Sequence, residues 1–199
     1  MLLTDIHVRA FIGASIKTYI HSIAKLRSDV FREYPYLAEP DLIRETNILR
    51  RIASSKESVG VLVFDNTTIV GASFGMPLAI LDELKKPFLD KHLNLDSYYF
   101  FSESVLLKHY RNRGIGHHFF DVREAHVVHL KKYQHICFCT PVRPENDPLR
   151  PESDFPLNDF WRKRGYIPHP ELKCQLAWKE IGQAKPTDKW MTFWIKDLH

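Results

Sequence analysis

The chain has 199 residues, of which 44% are hydrophobic and 26% charged, and its formal net charge at pH 7 is +4. That balance predicts one globular domain over residues 1–199, with a core that folds without disulfides or a structural metal. No apolar run approaches the length of a membrane span, and the dispersed Lys and Arg residues argue against a nucleic-acid partner.

The cysteines and the N-terminal segment indicate the compartment. The chain has three cysteines, Cys137, Cys139 and Cys174, and their spacing is not that of metal ligands. An odd number of cysteines is more typical of a protein in a reducing environment than of a disulfide-bonded one. Asp5 and His7 lie where a signal peptide would be apolar. The sequence therefore predicts a cytoplasmic protein.

Apolar periodicity predicts a strand, two helices and a hairpin in the first half of the chain. A short alternating stretch covers residues 6–11, and helical spacing covers residues 13–34 and about 40–53. The segment "SVGVLVFD" then has the β-branched pattern of a strand. Asp65 and Asn66 form a hairpin turn to its antiparallel partner, "TIVGASFGMPLAI".

The second half alternates helical and extended patterns. Residues 81–96 predict a polar helical segment outside the sheet that Pro87 interrupts, and residues 98–107 predict a long strand. Apolar positions from Ile115 to Tyr133 form the stripe of a helix that lies on a sheet. The remaining predicted elements are a buried strand in "HICFCTPV", a short helix in "PLNDFWRKRGY", and two closing strands at about 175–181 and 190–195.

Between the long strand and the next helix, "LLKHYRNRGIG" combines a glycine pair with several cations. Gly114 and Gly116 would open a tight turn, so that unpaired amides at the positive end of the helix could hold an anion such as a pyrophosphate. Lys108, Arg111 and Arg113 would add positive charge. Alternatively, the glycines only permit the turn. The sequence contains neither a Walker A loop nor the third glycine of a dinucleotide fingerprint.

This segment resembles a known family signature. "RNRGIG" at residues 111–116 is similar to the Q/R-x-x-G-x-G/A signature of the GNAT superfamily of acyl-CoA-dependent N-acyltransferases, and "FWRKRGY" at residues 160–166 occupies the place of its F-Y-x-x-x-G-F/Y segment. The predicted element order agrees, so the resemblance spans nearly the whole chain. It implies an α/β (α+β) GNAT fold: a mixed, mostly antiparallel sheet of about seven strands, a parallel splayed pair in its middle, and helices on both faces.

The resemblance also implies where the cosubstrate acetyl-CoA binds. Main chain at Val105 and Leu106 would pair with the pantetheine arm, in a slot that opens where the long strand bulges within "SESVLL" and parts from its parallel neighbour. The pyrophosphate would be held by the main chain of the signature residues Arg111, Asn112, Arg113, Gly114, Ile115 and Gly116.

Transfer of an acetyl group to an amine requires a base that removes a proton from the ammonium form. Glu103 is the candidate catalytic residue, because it is a carboxylate within an otherwise apolar and hydroxyl-bearing strand. The alternative is an outward-facing glutamate or one paired with an arginine. Positioning of the two reactants alone could supply much of the rate.

The acid that protonates the departing thiolate is not indicated. Many relatives use a tyrosine at the position of Trp161, and an indole N–H is not an acid at these pH values. Tyr166, Cys139 and water are the alternatives. A Pro-rich insertion, "RPENDPLRPESDFP", places Asp154 where relatives often have an asparagine that contacts the pantetheine.

The acceptor pocket is predicted between the end of the first helix, the polar helical segment that follows Pro77, and the two closing strands. Glu33, Tyr34 and Tyr36 in "FREYPYL" are the candidate substrate-binding residues. Equally, tyrosines near a proline turn are commonly ordinary packing.

The predicted function is an N-acetyltransferase that transfers an acetyl group from acetyl-CoA to a primary amine by direct attack in a ternary complex. The alternative is a non-catalytic acyl-CoA-binding or sensing module, and a weaker one is nucleic-acid binding. No metal is predicted, because the eleven histidines show no spacing such as H-E-x-x-H. The acceptor class and dimerisation stay open.

Overall fold

The computed structural model describes residues 6–152 and 157–198. Its strands are β1 (Ile6–Ile12), β2 (Val59–Asp65), β3 (Thr68–Pro77), β4 (Tyr98–Leu106), β5 (His135–Pro141), β6 (Ile167–Trp178) and β7 (Thr187–Asp197). Its α-helices are α1 (Ile20–Val30), α2 (Leu42–Ser54), α3 (Asp82–Asp90), α4 (Ile115–Leu130) and α5 (Asn158–Lys163), and a 3₁₀ turn, Gly13–Tyr19, precedes α1. The strands form one seven-stranded sheet in the order β1-β2-β3-β4-β5-β7-β6, in which β4 and β5 are parallel. This arrangement confirms the expected fold class.

The helices form two layers on opposite faces of the sheet. In β2, Leu62 joins the core beneath α1, α2 and α3, whereas Val61 and Val63 join a core beneath α4. Successive side chains of a strand point to opposite faces, so the two cores are separated by the sheet. We call these two sides the α1 face and the α4 face; α5 packs on the α4 face with Phe120.

The hairpin between β2 and β3 confirms the predicted turn. Asn66 has a φ of 54°, in the left-handed region that asparagine tolerates. The N-terminus of α2 is fixed by a side-chain cap: the Asp41 carboxylate accepts a hydrogen bond of 2.9 Å from the Arg44 amide.

The predicted interruption at Pro87 is wrong, because α3 continues through it. Proline removes one intrahelical donor, but tertiary packing compensates for that loss. Leu84, Pro87 and Phe88 are all buried, and they seat this helix on the core of the α1 face.

The closing strands are longer than predicted. Pro168 and Pro170 disfavour a strand at the start of β6, because proline cannot donate to a sheet ladder. In the structure β6 lies at the edge of the sheet, where proline is tolerated, and its pairing with β7 shifts register between His169 and Lys173.

A β-bulge interrupts β4. Ser73 of β3 lies opposite Ser104, and Gly75 lies opposite Phe101, so two steps along β3 correspond to three along β4. The extra residue therefore falls at residues 102–103, inside the predicted segment "SESVLL".

Beyond the bulge, the two parallel strands separate. Residues 98–100 of β4 pair with residues 135–137 of β5, and the pairing ends there. β5 continues to Pro141 with β7 as its only described strand partner. The carboxyl ends of β4 and β5 are thus the two lips of an open slot, as the family resemblance implied.

Candidate functional site

The connection between β4 and α4 presents free amides at the start of the helix. Gly114 is the N-cap, with a φ of 78° and no side-chain cap. The first bond of the helix runs from the His118 amide to the Gly114 carbonyl, at 3.2 Å. Within the described part of the chain, no backbone bond reaches the amides of residues 115–117. These donors lie at the positive end of the helix dipole and suit an anion.

The two glycines leave the approach to these amides open. Apart from its chain neighbours and the backbone of α4, a Cβ atom placed on Gly114 or Gly116 would meet no described atom within 4 Å. Gly114 is also required by its left-handed backbone. The backbone of Gly116 does not require glycine. The main effect of a glycine at this position is therefore to leave open space in front of the main chain.

The three cations predicted to add charge at this loop, Lys108, Arg111 and Arg113, differ in their contacts. Arg111 donates from both terminal nitrogens to the Glu33 carboxylate, at 2.7 and 2.9 Å, and from Nε to the Leu106 carbonyl at 3.0 Å. Arg113 and Lys108 are exposed. Arg111 therefore connects the glycine loop to the end of α1, and its donors are already committed.

The register of β4 decides which main-chain groups face the slot. The Leu107 amide donates to the Val70 carbonyl of β3 at 3.0 Å. Main-chain groups of alternate residues point the same way, so those of Val105 also face β3 and those of Leu106 face the slot. The bond from Arg111 to the Leu106 carbonyl agrees with this orientation.

Glu103 lies on the α1 face, where it forms an ion pair with Arg27 of α1. Arg27 Nε also contacts the Glu45 carboxylate of α2, at 2.5 Å. The Arg27 side chain is 4% exposed and each carboxylate is 8% exposed. One buried guanidinium is therefore shared by two buried carboxylates.

This pairing is one of the alternatives that the sequence left open for Glu103. The Ser102 hydroxyl also donates to the Glu103 carboxylate. Burial lowers the pKa of Arg27, and the nearby negative charge of Glu45 offsets part of this effect. Arginine nevertheless remains protonated at neutral pH. The group of Arg27, Glu45 and Glu103 thus has a net charge of −1 when both carboxylates are ionised.

Arg123 of α4 holds the bulge from the opposite face. Its side chain donates to the Phe74 carbonyl at 3.1 Å, to the Ser104 hydroxyl at 3.0 Å and to the Phe119 carbonyl at 3.1 Å. Its guanidinium lies 4.2 Å from the ring centroid of Phe101. Burial lowers the pKa of Arg123 to about 10, so the group is charged at neutral pH. Arg123 therefore joins both strands of the bulge to the helix of the glycine loop.

The predicted substrate-binding residues lie in the connection between α1 and α2. Glu33 reaches the glycine loop through Arg111. The Tyr36 ring packs at 6.0 Å from that of Trp178, and burial raises the pKa of Tyr36. The Tyr34 ring lies 5.9 Å from the guanidinium of Arg143. Both tyrosines make the packing contacts that the sequence offered as their alternative explanation.

Neither candidate acid among the side chains, Tyr166 or Cys139, is well placed to donate a proton, and Trp161 occupies the position of the family's tyrosine. Trp161 packs against aromatic rings, including that of Trp194 at 5.2 Å. The Tyr166 hydroxyl donates to Glu124 at 3.0 Å, and burial raises the pKa of Tyr166. A hydrogen bond with Cys174 and burial raise the pKa of the Cys139 thiol.

Asp154, the candidate pantetheine contact, lies outside the described residues. Across residues 6–152 and 157–198, no cluster of three or more His, Cys, Asp or Glu side chains is arranged to hold a metal ion. None of the helices in the same ranges is long and apolar enough to cross a bilayer.

The arginines that organise the site were not predicted. Arg27 follows Ile23 by four positions, and Arg123 follows Phe119 by four, so both lie on the apolar stripes of their helices. A charged residue on an apolar stripe is the signal that could have identified them, because such a charge is buried only with partners.

The bulged β4, the slot beside β5 and the glycine loop at the start of α4 together define the class of fold. The chain has the fold of the GNAT acyltransferase superfamily.

Solved structures of proteins from three organisms illustrate the similarity in fold. A GNAT-family acetyltransferase of Streptococcus pneumoniae is 14% identical, with a TM-score of 0.60 over 98% of this chain and 100% of that one. YncA of Salmonella typhimurium, solved with its cofactor acetyl-CoA, is 8% identical, with a TM-score of 0.62 over 98% and 94%. NAA60 of Arabidopsis thaliana, in complex with a bisubstrate analogue, is 9% identical, with a TM-score of 0.60 over 98% and 99%. No protein-family model and no curated protein matches the chain, so the likeness is one of fold.

Proposed function

We propose that this protein is an N-acetyltransferase that transfers an acetyl group from acetyl-CoA to a primary amine by direct attack in a ternary complex. One observation carries the proposal: a slot between splayed parallel strands leads to free amides at a helix start. An extended ligand with a diphosphate at one end matches that combination. The acetyl-CoA bound by YncA, a protein of the same fold, is such a ligand.

The residues of this chain fit acetyl-CoA chiefly through main chain. The amides of residues 112–116 would hold the diphosphate, whereas the Arg111 amide already donates to the Lys108 carbonyl at 3.2 Å. The open space at Gly114 and Gly116 allows the diphosphate to approach. Leu106 would offer its main-chain groups to the pantetheine, whereas those of Val105 are directed to β3. The Arg111 side chain would add little positive charge to the diphosphate site, because its guanidinium is paired with the Glu33 carboxylate and its Nε is bonded to the Leu106 carbonyl.

Glu103 is the proposed base. Glu103 first takes a proton from the bound ammonium group, directly or through water, which frees the lone pair of the nitrogen. That nitrogen then bonds to the acetyl carbon as the C–S bond breaks, the electron pair stays on sulfur, and the second proton leaves the nitrogen to water. Because Arg27 is shared with Glu45, Glu103 has only part of one guanidinium as its counter-charge. Positioning of the two reactants contributes several kcal/mol in addition.

The proposal assigns no protein acid to the departing sulfur. Tyr166 is bonded to Glu124, and the Cys139 thiol holds its proton more tightly than an ordinary thiol. A free thiol has a pKa of about 8.5, so water is a sufficient proton source for its thiolate.

Binding of acetyl-CoA, measured by isothermal titration calorimetry, tests the assigned loop. Gly114→Trp should lower the affinity at least about tenfold, because it strains a left-handed residue and fills the approach to the amides. Gly182→Trp is a matched control, because Gly182 also has a positive φ, of 85°, and open space around its Cβ position. Unchanged affinity in the Gly114 variant would refute the assigned pocket.

Transfer itself is tested by thiol release from acetyl-CoA with a panel of amines. At least one amine should accelerate release above the amine-free rate. Acetyl-CoA binding without any acceleration would favour the second candidate, a non-catalytic acyl-CoA-binding or sensing module. The tryptophan at position 161 and the pairing of Glu103 with Arg27 are the observations behind that candidate.

A further inference from the structure

The connection between α1 and α2 crosses the slot on the α1 face and is fixed at both lips. At the β4 lip, the Glu33 carboxylate accepts two hydrogen bonds from Arg111, at 2.7 and 2.9 Å. At the β5 lip, Arg143 donates to the carbonyls of Pro35 and Tyr36, at 2.8 and 3.4 Å. We call the segment from Glu33 to Tyr36 the strap.

A second closure continues from the strap toward the connection between β6 and β7. The Ile181 amide donates to the Leu37 carbonyl at 2.8 Å, and the Glu39 amide donates to the Lys179 carbonyl at 2.8 Å. These bonds flank an isolated antiparallel bridge between the two connections. Main-chain pairing of this kind leaves no passage for another polypeptide between them.

The two fixed points of the strap differ in strength. Arg143 is 14% exposed and also binds the Glu180 carboxylate, 11% exposed, at 2.5 Å. The Arg111 and Glu33 side chains are 35% and 43% exposed, and exposed ion pairs are weak because water competes with them. The β5 lip is therefore the firm attachment, and the β4 lip is the one that opens more easily.

Negative charge lies below the strap, next to an apolar wall. Arg27 serves both Glu45 and Glu103, which leaves one carboxylate charge without a matching cation within this group. Arg27 lies 5.1 Å from the ring centroid of Phe31, whose ring packs 4.8 Å from that of Tyr36. An ammonium group on a small carbon frame would match both the charge and the wall.

We propose that the acceptor is a small amine, bound as its ammonium form, and that the strap excludes the N-termini of polypeptides. A polypeptide would have to displace the strap from Arg111 and Arg143, or break the main-chain pairing with the β6–β7 connection. A small amine needs neither change. This inference rests on the proposed function and adds the substrate class of the same site.

The test compares two conjugates in which an acetyl linker joins the sulfur of CoA to an acceptor nitrogen. One conjugate has butylamine as the acceptor, and the other has a tetrapeptide attached through its α-amino group. Isothermal titration calorimetry measures their binding without requiring turnover. The wild-type protein should bind the butylamine conjugate at least about tenfold more tightly than the peptide conjugate.

Two variants show whether the strap causes the difference. Glu33→Gln releases the β4 lip, and its combination with Arg143→Met releases both lips; each should bring the affinity for the peptide conjugate closer to that for the butylamine conjugate. Glu33→Gln alters an exposed side chain, so the test survives if the double variant fails to fold. Glu57→Gln is the matched control, because Glu57 forms a similar two-bond pair with Lys132, at 2.9 and 3.0 Å, beyond the opposite end of α4. It should leave the ratio unchanged.

Each outcome decides the inference. Equal affinity of the wild-type protein for both conjugates would overturn the exclusion of polypeptides. A peptide conjugate that stays equally weak in both strap variants would overturn the assigned cause. Failure of the wild-type protein to bind CoA alone, measured in a separate titration, would overturn the proposed function instead.

Discussion

Glu103 faces the α1 layer because β4 contains one extra residue. Phe101 packs on the α4 face, and Ser104, three positions later, bonds there to Arg123. Simple alternation would place Glu103 on the same face as Phe101. The bulge directs it to Arg27 instead, on the side where the acceptor is proposed to bind.

Glu103→Gln tests the base. Without the carboxylate, turnover with a saturating amine should fall about 10²-fold, because general base catalysis is lost while positioning remains. Acetyl-CoA affinity should stay within about twofold, since the assigned contacts are main-chain groups of other residues. Thiol release and calorimetry measure the two quantities, and Ser102→Ala is the control for the hydroxyl bonded to Glu103. Equal turnover in Glu103→Gln and wild type would remove Glu103 from the mechanism.

Arg27→Met tests the shared guanidinium. It would leave Glu45 and Glu103 buried without their cation, and the free energy of unfolding at pH 7 should fall by about 3–5 kcal/mol. Urea denaturation measures the loss. Adding Glu45→Gln and Glu103→Gln to the same chain should recover part of it, because the unpaired charges are removed. A loss below about 1 kcal/mol would show that the carboxylates do not depend on Arg27.

At the scale of elements, α4 connects two parts of the site. Its first amides lie at the glycine loop, and Arg123, two turns further on, bonds to both strands of the bulge. Phe74 lies opposite the extra residue, where the regular ladder is interrupted, and Arg123 provides a donor for its carbonyl. The helix therefore fixes the distance between the proposed diphosphate site and the slot.

Arg123→Met should remove that connection. The Phe74 carbonyl would lose its donor, and the free energy of unfolding should fall by about 2–3 kcal/mol. Hydrogen exchange at residues 71–75 and 101–106 should accelerate more than at β1, because the bulge loses its support. Arg123→Lys should rescue little, since one ammonium cannot reproduce three separated bonds of a planar guanidinium. Uniform acceleration across the sheet would indicate a general loss of packing rather than support of the bulge.

Sequence patterns predicted the types of most elements, because burial imposes a period on each of them. They did not predict the continuation of α3 through Pro87, which depends on tertiary packing, or the length of β6, which depends on its place at the edge of the sheet. Most of the candidate site followed from the resemblance of residues 111–116 to a family signature. The contacts of Arg143 with Pro35 join positions 108 residues apart, and local sequence contains no signal for such a pair.

At the scale of the whole molecule, the slot divides the sheet into two parts. Strands β1 to β4 form one part and β5, β7 and β6 the other, and only residues 98–100 of β4 pair across the boundary. The strap spans the same gap at its open end. A ligand in the slot would contact both parts.

Binding of CoA should therefore slow hydrogen exchange on both sides of the slot. Protection is expected in peptides covering residues 104–107 of the first part and 138–141 of the second, in addition to the glycine loop, because an extended arm in the slot would exclude water from both lips. Hydrogen exchange followed by mass spectrometry, with and without saturating CoA, measures this directly. Gly114→Trp should weaken all three effects when CoA is present at a concentration near the wild-type dissociation constant. Protection confined to the glycine loop would mean that the diphosphate binds there while the arm lies outside the slot, and the direction assigned to the Leu106 main chain would then lose its role.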